Sequence, residues 1–195
     1  MSKYLTIHVD TTGIDFNTYD ISEGYEIVAI TLMSCDDDFK ILKHVTLYNS
    51  SVSEEGLRDS TMYHSIDRGV LDDVGMDEEQ FVEAIAAFIF EEFLESESQH
   101  LPKIKCLGHN IGTFALPFLK KYLQKYDLPI EFSCNVLDTH SVLIPTVGDM
   151  SLQDMIAIFG DDRNDDEYST TLYKCKLFVN IFKKVKRLWI KKVLS

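Results

Sequence analysis

Gly108-His109-Asn110-Ile111-Gly112-Thr113-Phe114-Ala115-Leu116-Pro117-Phe118-Leu119 is the stretch on which the reading of this 195-residue chain turns. The preceding Lys103–Leu107 reads as a short strand, and a helix follows from about Thr113 to Lys125. Pro117 fits only the first turn of that helix, where its missing N–H costs nothing. The segment is thus a strand–turn–helix junction with aromatics spaced to pack. A second stretch, His8-Val9-Asp10-Thr11-Thr12-Gly13, ends a first strand at Lys3–Val9 and puts two polar side chains two residues apart.

Working outward, Tyr25–Ser34 is a second strand, whose apolar run Ile27-Val28-Ala29-Ile30 is typical of a buried one. Asp36-Asp37-Asp38 turns the chain, and Phe39–Tyr48 completes an antiparallel meander. Short helical pieces lie near 54–73. Asp77–Glu95 is the clearest helix, with Phe81, Ile85, Phe88 and Ile89 on one face and a capping-box pattern at Asp77 and Gln80. Ile130–Leu137 reads as another strand. Ser151-Leu152-Gln153-Asp154 opens a helix that Gly160 ends, Asp161–Glu167 is an acidic loop, and a last helix begins near Tyr168. The order predicts an α/β fold with a mixed sheet, three antiparallel strands followed by parallel ones, flanked by helices.

Hydrophobic residues make up 45% of the chain and aromatics 11%, enough for the core of one domain. Cys35, Cys106, Cys134 and Cys175 stand far apart and read as reduced core residues, neither a disulfide frame nor a zinc site. Met1-Ser2-Lys3-Tyr4 carries no signal-peptide pattern and no apolar run is long enough to span a membrane, so a soluble, cytoplasmic protein is expected. The net charge of −13 is split. Residues 174–195 hold eight Lys/Arg and no acid, leaving 11 basic against 32 acidic groups and a charge of −21 before them. An acidic body repels nucleic acid at long range; a basic end attracts it, an acidic partner surface or the chain's own body.

Both quoted stretches resemble the metal-binding motifs of the DnaQ-like (DEDD) 3′→5′ exonucleases, and the resemblance extends over roughly residues 3–185. It implies a ribonuclease H-like fold and a cleft in which carboxylates from three segments hold two divalent metals, roughly 4 Å apart, with a His or Tyr as general base. The frames are present: Thr11, Thr12 and Gly13 in the first motif, and His109, Asn110, Phe114, Phe118 and Leu119 in the second. The ligands mostly are not. Asp10 falls on the Glu position and His8 on the Asp position. The alternative register makes Asp10 the first Asp and Thr12 the Glu; either way a carboxylate is missing. Ala115 stands where the second motif has its Asp. Asp138, in Leu137-Asp138-Thr139-His140, resembles a family Asp-Thr pair and reads equally well as a strand-end cap. In the third motif Ser169 takes the base position and Lys174 the Asp position, followed by Phe178 and Phe182. An ammonium there repels Mg²⁺ and is placed to pair with Asp10 instead. A shifted site built on Asp161, Asp162, Asp165 or Asp166 is the competing arrangement.

Lys183-Lys184-Val185-Lys186-Arg187-Leu188-Trp189-Ile190-Lys191-Lys192-Val193-Leu194 is a cationic amphipathic segment. The terminal helix is expected to dock on the sheet up to about Phe182. That divides the chain into an exonuclease-like domain, 1–182, and a basic helical extension, 183–195. In the extension Lys183, Lys184, Lys186, Arg187, Trp189, Lys191 and Lys192 are candidate nucleic-acid contacts. The expectation is a catalytically inactive, exonuclease-like module, with no cofactor, retained to bind a protein partner, as in a replication or repair assembly, or nucleic acid. Its frames also resemble those of small stand-alone exonucleases, including phage ones. The alternative is an active, divergent 3′→5′ exonuclease on single-stranded DNA or RNA, with Mg²⁺ or Mn²⁺ held by Asp10.

Overall fold

A computed structural model describes residues 3–14, 22–94, 102–148, 151–160 and 170–194, without the side chains of 145–147 and 189–194. Its strands are β1 (Lys3–Thr11), β2 (Ile27–Asp36), β3 (Ile41–Tyr48), β4 (Lys105–Gly108) and β5 (Leu137–Asp138). The helices are α1 (Glu54–His64), α2 (Arg68–Val74), α3 (Glu78–Phe93), α4 (Ala115–Lys125), α5 (Thr139–Val147), α6 (Leu152–Phe159) and α7 (Thr171–Leu194). The sheet order is β3-β2-β1-β4-β5. β1 and β2, and β2 and β3, run antiparallel, while β4 lies parallel to β1 and β5 parallel to β4. This is the expected mixed sheet.

β1 shows how the sheet divides two cores. Side chains alternate across a strand. Leu5, Ile7 and Val9 enter a cluster with Phe81, Ile85 and Ile89 of α3 and Phe118, Leu119 and Tyr122 of α4. Full burial of each such side chain contributes about 1.5–3 kcal/mol. Tyr4 packs on the opposite side with Met33, Cys35 and Phe178, Val179 and Phe182 of α7. Thr6, His8 and Asp10 share the parity of Tyr4, so the polar half of β1 faces α7. A smaller cluster seats α1 and α2 against Val28 and Ala29.

Local signals start the helices. Asp77 accepts from Gln80 N to cap α3, and Ser151 and Asp154 form a complete capping box on α6. Two readings need correction. The strand expected over Ile130–Leu137 is reduced to the two residues of β5 and an isolated bridge between Ile104 and Phe132. Between them Ser133 Oγ accepts from Asn135 N and bends the chain, which leaves Cys134 exposed and outside the core. The other three cysteines are buried, and burial pushes the thiol of Cys35 up to about 11 and that of Cys106 up to about 12. They are unreactive core residues. The acidic loop Asp161–Glu167, Ser169, and the side chains of Trp189, Lys191 and Lys192 lie outside what is described. Among the described residues no helix is long and apolar enough to cross a membrane.

Gly108 lets β4 approach β1 closely: a Cβ there would stand 2.9 Å from the carbonyl oxygen of Ile7 and 3.0 Å from Ile111 Cδ1. Gly108→Ala is therefore expected to cost about 1–3 kcal/mol by overpacking, read as a lower urea midpoint at unchanged m-value.

Candidate functional site at the carboxyl ends of the parallel strands

The polar residues singled out in the sequence gather where β1, β4 and β5 end, the position at which open α/β sheets present their clefts. Asp10 comes from the end of β1 and meets one face of α7. Lys174 Nζ donates to Asp10 Oδ1 at 2.9 Å, Thr171 Oγ1 donates to Oδ2 at 2.8 Å, and His8 Nε2 lies 3.3 Å from Oδ1. Thr171, Lys174 and Phe178 follow one another at helical spacing, so one face of α7 supplies the hydroxyl, the ammonium and a ring. His8 packs edge-on to Phe178 at 5.8 Å. Asp10 is 7% exposed and Lys174 6%, so the pair is sealed from solvent.

Burial works to raise the Asp10 carboxyl, but the hydrogen bond from His8 and the adjacent Lys174 ammonium outweigh it and hold it well below the usual carboxylate range. Burial also lowers the His8 imidazole, against the opposing pull of Asp10. His8 is thus neutral at pH 7 and offers Nε2–H to the carboxylate.

The second motif forms a scaffold beside this pair. Asp138 Oδ1 accepts from Asn110 N at 3.1 Å and from His140 N at 2.9 Å, and Oδ2 accepts from Ile111 N at 3.0 Å. One carboxylate therefore pins the turn after β4, where Asn110 sits at φ 48°, and caps α5. His109 Nδ1 lies 3.1 Å from Thr139 Oγ1, and Nε2 lies 3.3 Å from Asn110 Nδ2. The His109 ring stacks on Phe178 at 6.1 Å. Ala115 is the first residue of α4, 2% exposed, and packs in the core cluster with Ile111 and Leu116. In the first motif Thr12 exchanges hydrogen bonds with Glu26, and Gly13, at φ 152°, leaves room for the Tyr25 ring, 2.6 Å from where a Cβ would lie.

His8, Asp10 and Lys174 are thus brought together, while Ala115 belongs to the core. One further participant and one buried histidine nearby carried no sequence signal. Thr171 acts only through a partner 161 positions away. His64 is 4% exposed; its Nδ1 accepts from Ile66 N and its Nε2 lies 3.0 Å from Ser60 Oγ. Burial lowers its imidazole, which also feels the charges of Asp10 and Lys174.

Among the described residues the donor set does not fit a pair of divalent metals. The one carboxylate has both oxygens engaged, and its neighbours are an imidazole and an ammonium. Among the described residues no group of three His, Cys, Asp or Glu side chains is arranged to hold a metal. The basic end is a continuation of α7, unbroken across residue 182. Lys186 Nζ donates to Asp37 O at 2.6 Å and to Asp38 Oδ1 at 2.8 Å, Lys184 lies over the Phe159 ring at 5.8 Å, and Lys183 is half-buried. Arg187 is exposed.

No family model and no curated protein matches this sequence. Solved structures of exonuclease I match in fold. E. coli exonuclease I in complex with a dA16 oligonucleotide superposes at a TM-score of 0.71 and 14% identity, over 96% of this chain and 41% of that one. Its zinc-bound complex with single-stranded DNA gives 0.68 at 13% identity, over 96% and 41%. The exonuclease I of Methylocaldum szegediense gives 0.68 at 12%, over 96% and 41%. The chain therefore spans under half the length of these neighbours. The likeness establishes a ribonuclease H-like fold.

The lowered imidazoles give a signed pH dependence. Below about pH 6.5 the unfolded chain protonates His8 and His64 while the folded chain resists. Their contribution is complete above that pH and is lost as pH falls. The depressed Asp10 carboxyl adds a second loss below about pH 4. His8→Asn keeps a donor but cannot titrate. Urea unfolding from pH 7.5 to 5 should show a shallower decline in H8N than in the wild type; equal slopes would contradict a neutral, buried His8.

Proposed function

We propose that this chain is an exonuclease-fold module that works by binding and does not hydrolyse phosphodiesters. The observation that carries the reading is the state of Asp10. The only carboxylate in the described cleft that the motifs assign to metal binding spends both oxygens on Lys174, Thr171 and His8. Two-metal hydrolysis needs hard oxygen donors free to hold the ions that activate water and stabilise the leaving oxygen. An ammonium at hydrogen-bond distance opposes both. Ser169, at the general-base position by sequence, is a hydroxyl with no proton-accepting strength near neutral pH.

The test is incubation of the purified protein with 3′-labelled single-stranded DNA and RNA in Mg²⁺ and then Mn²⁺. No shortening above background is expected. Metal-dependent shortening that Asp10→Ala abolishes would establish the divergent exonuclease instead.

For the binding role a protein partner ranks first. The acidic body, at −21 before residue 174, opposes a polyanion at long range. The neighbouring exonuclease I structures hold oligonucleotides, which keeps nucleic acid as the second candidate, with Lys184 and Arg187 as exposed candidate contacts. Fluorescence titration with labelled single-stranded DNA separates them. A nucleic-acid module should lose affinity steeply with added salt and in the Lys184→Glu/Arg187→Glu variant. A protein-binding module should show weak DNA affinity that this variant leaves unchanged.

A further inference from the structure

We propose that Lys174 is a built-in counter-cation that stands in for divalent metal, so that the cleft keeps its shape and its charge balance with no ion bound. This deepens the non-catalytic reading of the same cleft and rests on it.

The argument begins with charge. A cleft lined only by carboxylates repels itself, and its two sides close together when cations are bound between them. Here one side is Asp10 on β1 and the other is α7. Lys174 crosses between them, with Nζ 2.9 Å from Asp10 Oδ1. The Asp10 carboxylate and the Lys174 ammonium sum to zero, and Ala115 adds no charge. Four carboxylates holding two divalent ions, the set implied by the motif resemblance, also sum to zero. The substitutions at 8, 115 and 174 therefore preserve the balance while removing the need for an ion.

Geometry makes the replacement exclusive. The Lys174 side chain is 8% exposed and that of Asp10 6%, so neither swings into water at low cost. A metal approaching Oδ1 would have to displace the ammonium or lie beside it, and two like charges in a dry site repel strongly. Thr171 holds the other oxygen, which fixes the carboxylate's rotation.

The full chain can be tested by thermal unfolding in EDTA and in millimolar Mn²⁺. The wild type should unfold within about 1 °C in both, since a micromolar site would raise Tm by several degrees. Lys174→Gln should lower Tm by roughly 10 °C in EDTA, because it leaves a buried carboxylate unpaired. Mn²⁺ should recover part of that loss by occupying the vacated place beside Asp10. Lys174→Arg should stay near wild type and ignore Mn²⁺. A merely structural lysine predicts the loss without recovery, so K174Q that Mn²⁺ does not rescue overturns the proposal, as does K174Q with wild-type Tm. If K174Q is unfolded in EDTA, recovery of its circular dichroism on adding Mn²⁺ is the same readout. A failure here in a chain that cuts no nucleic acid removes the role of Lys174 and leaves the non-catalytic reading standing.

Discussion

The buried pair of Asp10 and Lys174 is the constraint on which the rest depends. It joins the central strand to the helix that covers one face of the sheet, across 164 residues of sequence. Such a pair adds little net stability over well-packed apolar residues, yet removing one partner strands a buried charge at a cost of about 3–5 kcal/mol. Its effect is therefore directional: it penalises any placement of α7 that separates the two. Phe178, one turn further on, then has a fixed seat between His8 and His109. The aromatic packing and the polar contacts agree on one register.

The same economy of charge operates at the basic end of α7. Its lysines look like a free cationic surface in the sequence, but part of that charge is used internally. Lys186 clamps the β2–β3 turn through Asp37 and Asp38, and lies 5.9 Å from the centre of the Phe39 ring, which in turn contacts Phe182 and Tyr4. The exposed pair at Lys186 and Asp38 contributes little by Coulomb attraction alone. Its significance is positional, because it ties the helix to the hairpin beyond Phe182. The charge split between body and end is in this respect partly an intramolecular arrangement.

How much was legible in the sequence follows from how local each signal is. β1, β2, β3, α3 and α4 were readable because periodicity and caps lie within a few residues of one another. The strand expected over 130–137 is cut down to its Phe132 bridge and its Leu137 end because the Ser133–Asn135 turn that interrupts it depends on a side-chain hydrogen bond. α5 was missed for the converse reason. Its β-branched and proline-bearing sequence is a poor helix former, and it starts because Asp138 caps it while holding the β4 turn. The placement of Lys174 against Asp10 could be read from motif register alone. Thr171 could not, since what it touches is set by tertiary contact.

The residues of the two quoted motifs differ in what holds them in place. The frame residues have structural partners of their own: Thr12 with Glu26, Gly13 with Tyr25, Phe114 with Phe118, and Asp138 with the backbone of 110, 111 and 140. Removing any of them would damage strand pairing, packing or a turn. Positions 8, 115 and 174 carry no comparable demand for a carboxylate. An alanine at the buried start of α4 fits its surroundings better than an unpaired acid, whose burial without a cation is costly. Once an ammonium sits beside Asp10, each further carboxylate in that cleft would be an unmatched negative charge. Within the described cleft the Lys174 ammonium therefore matches the Asp10 carboxylate, and Ala115 adds no charge.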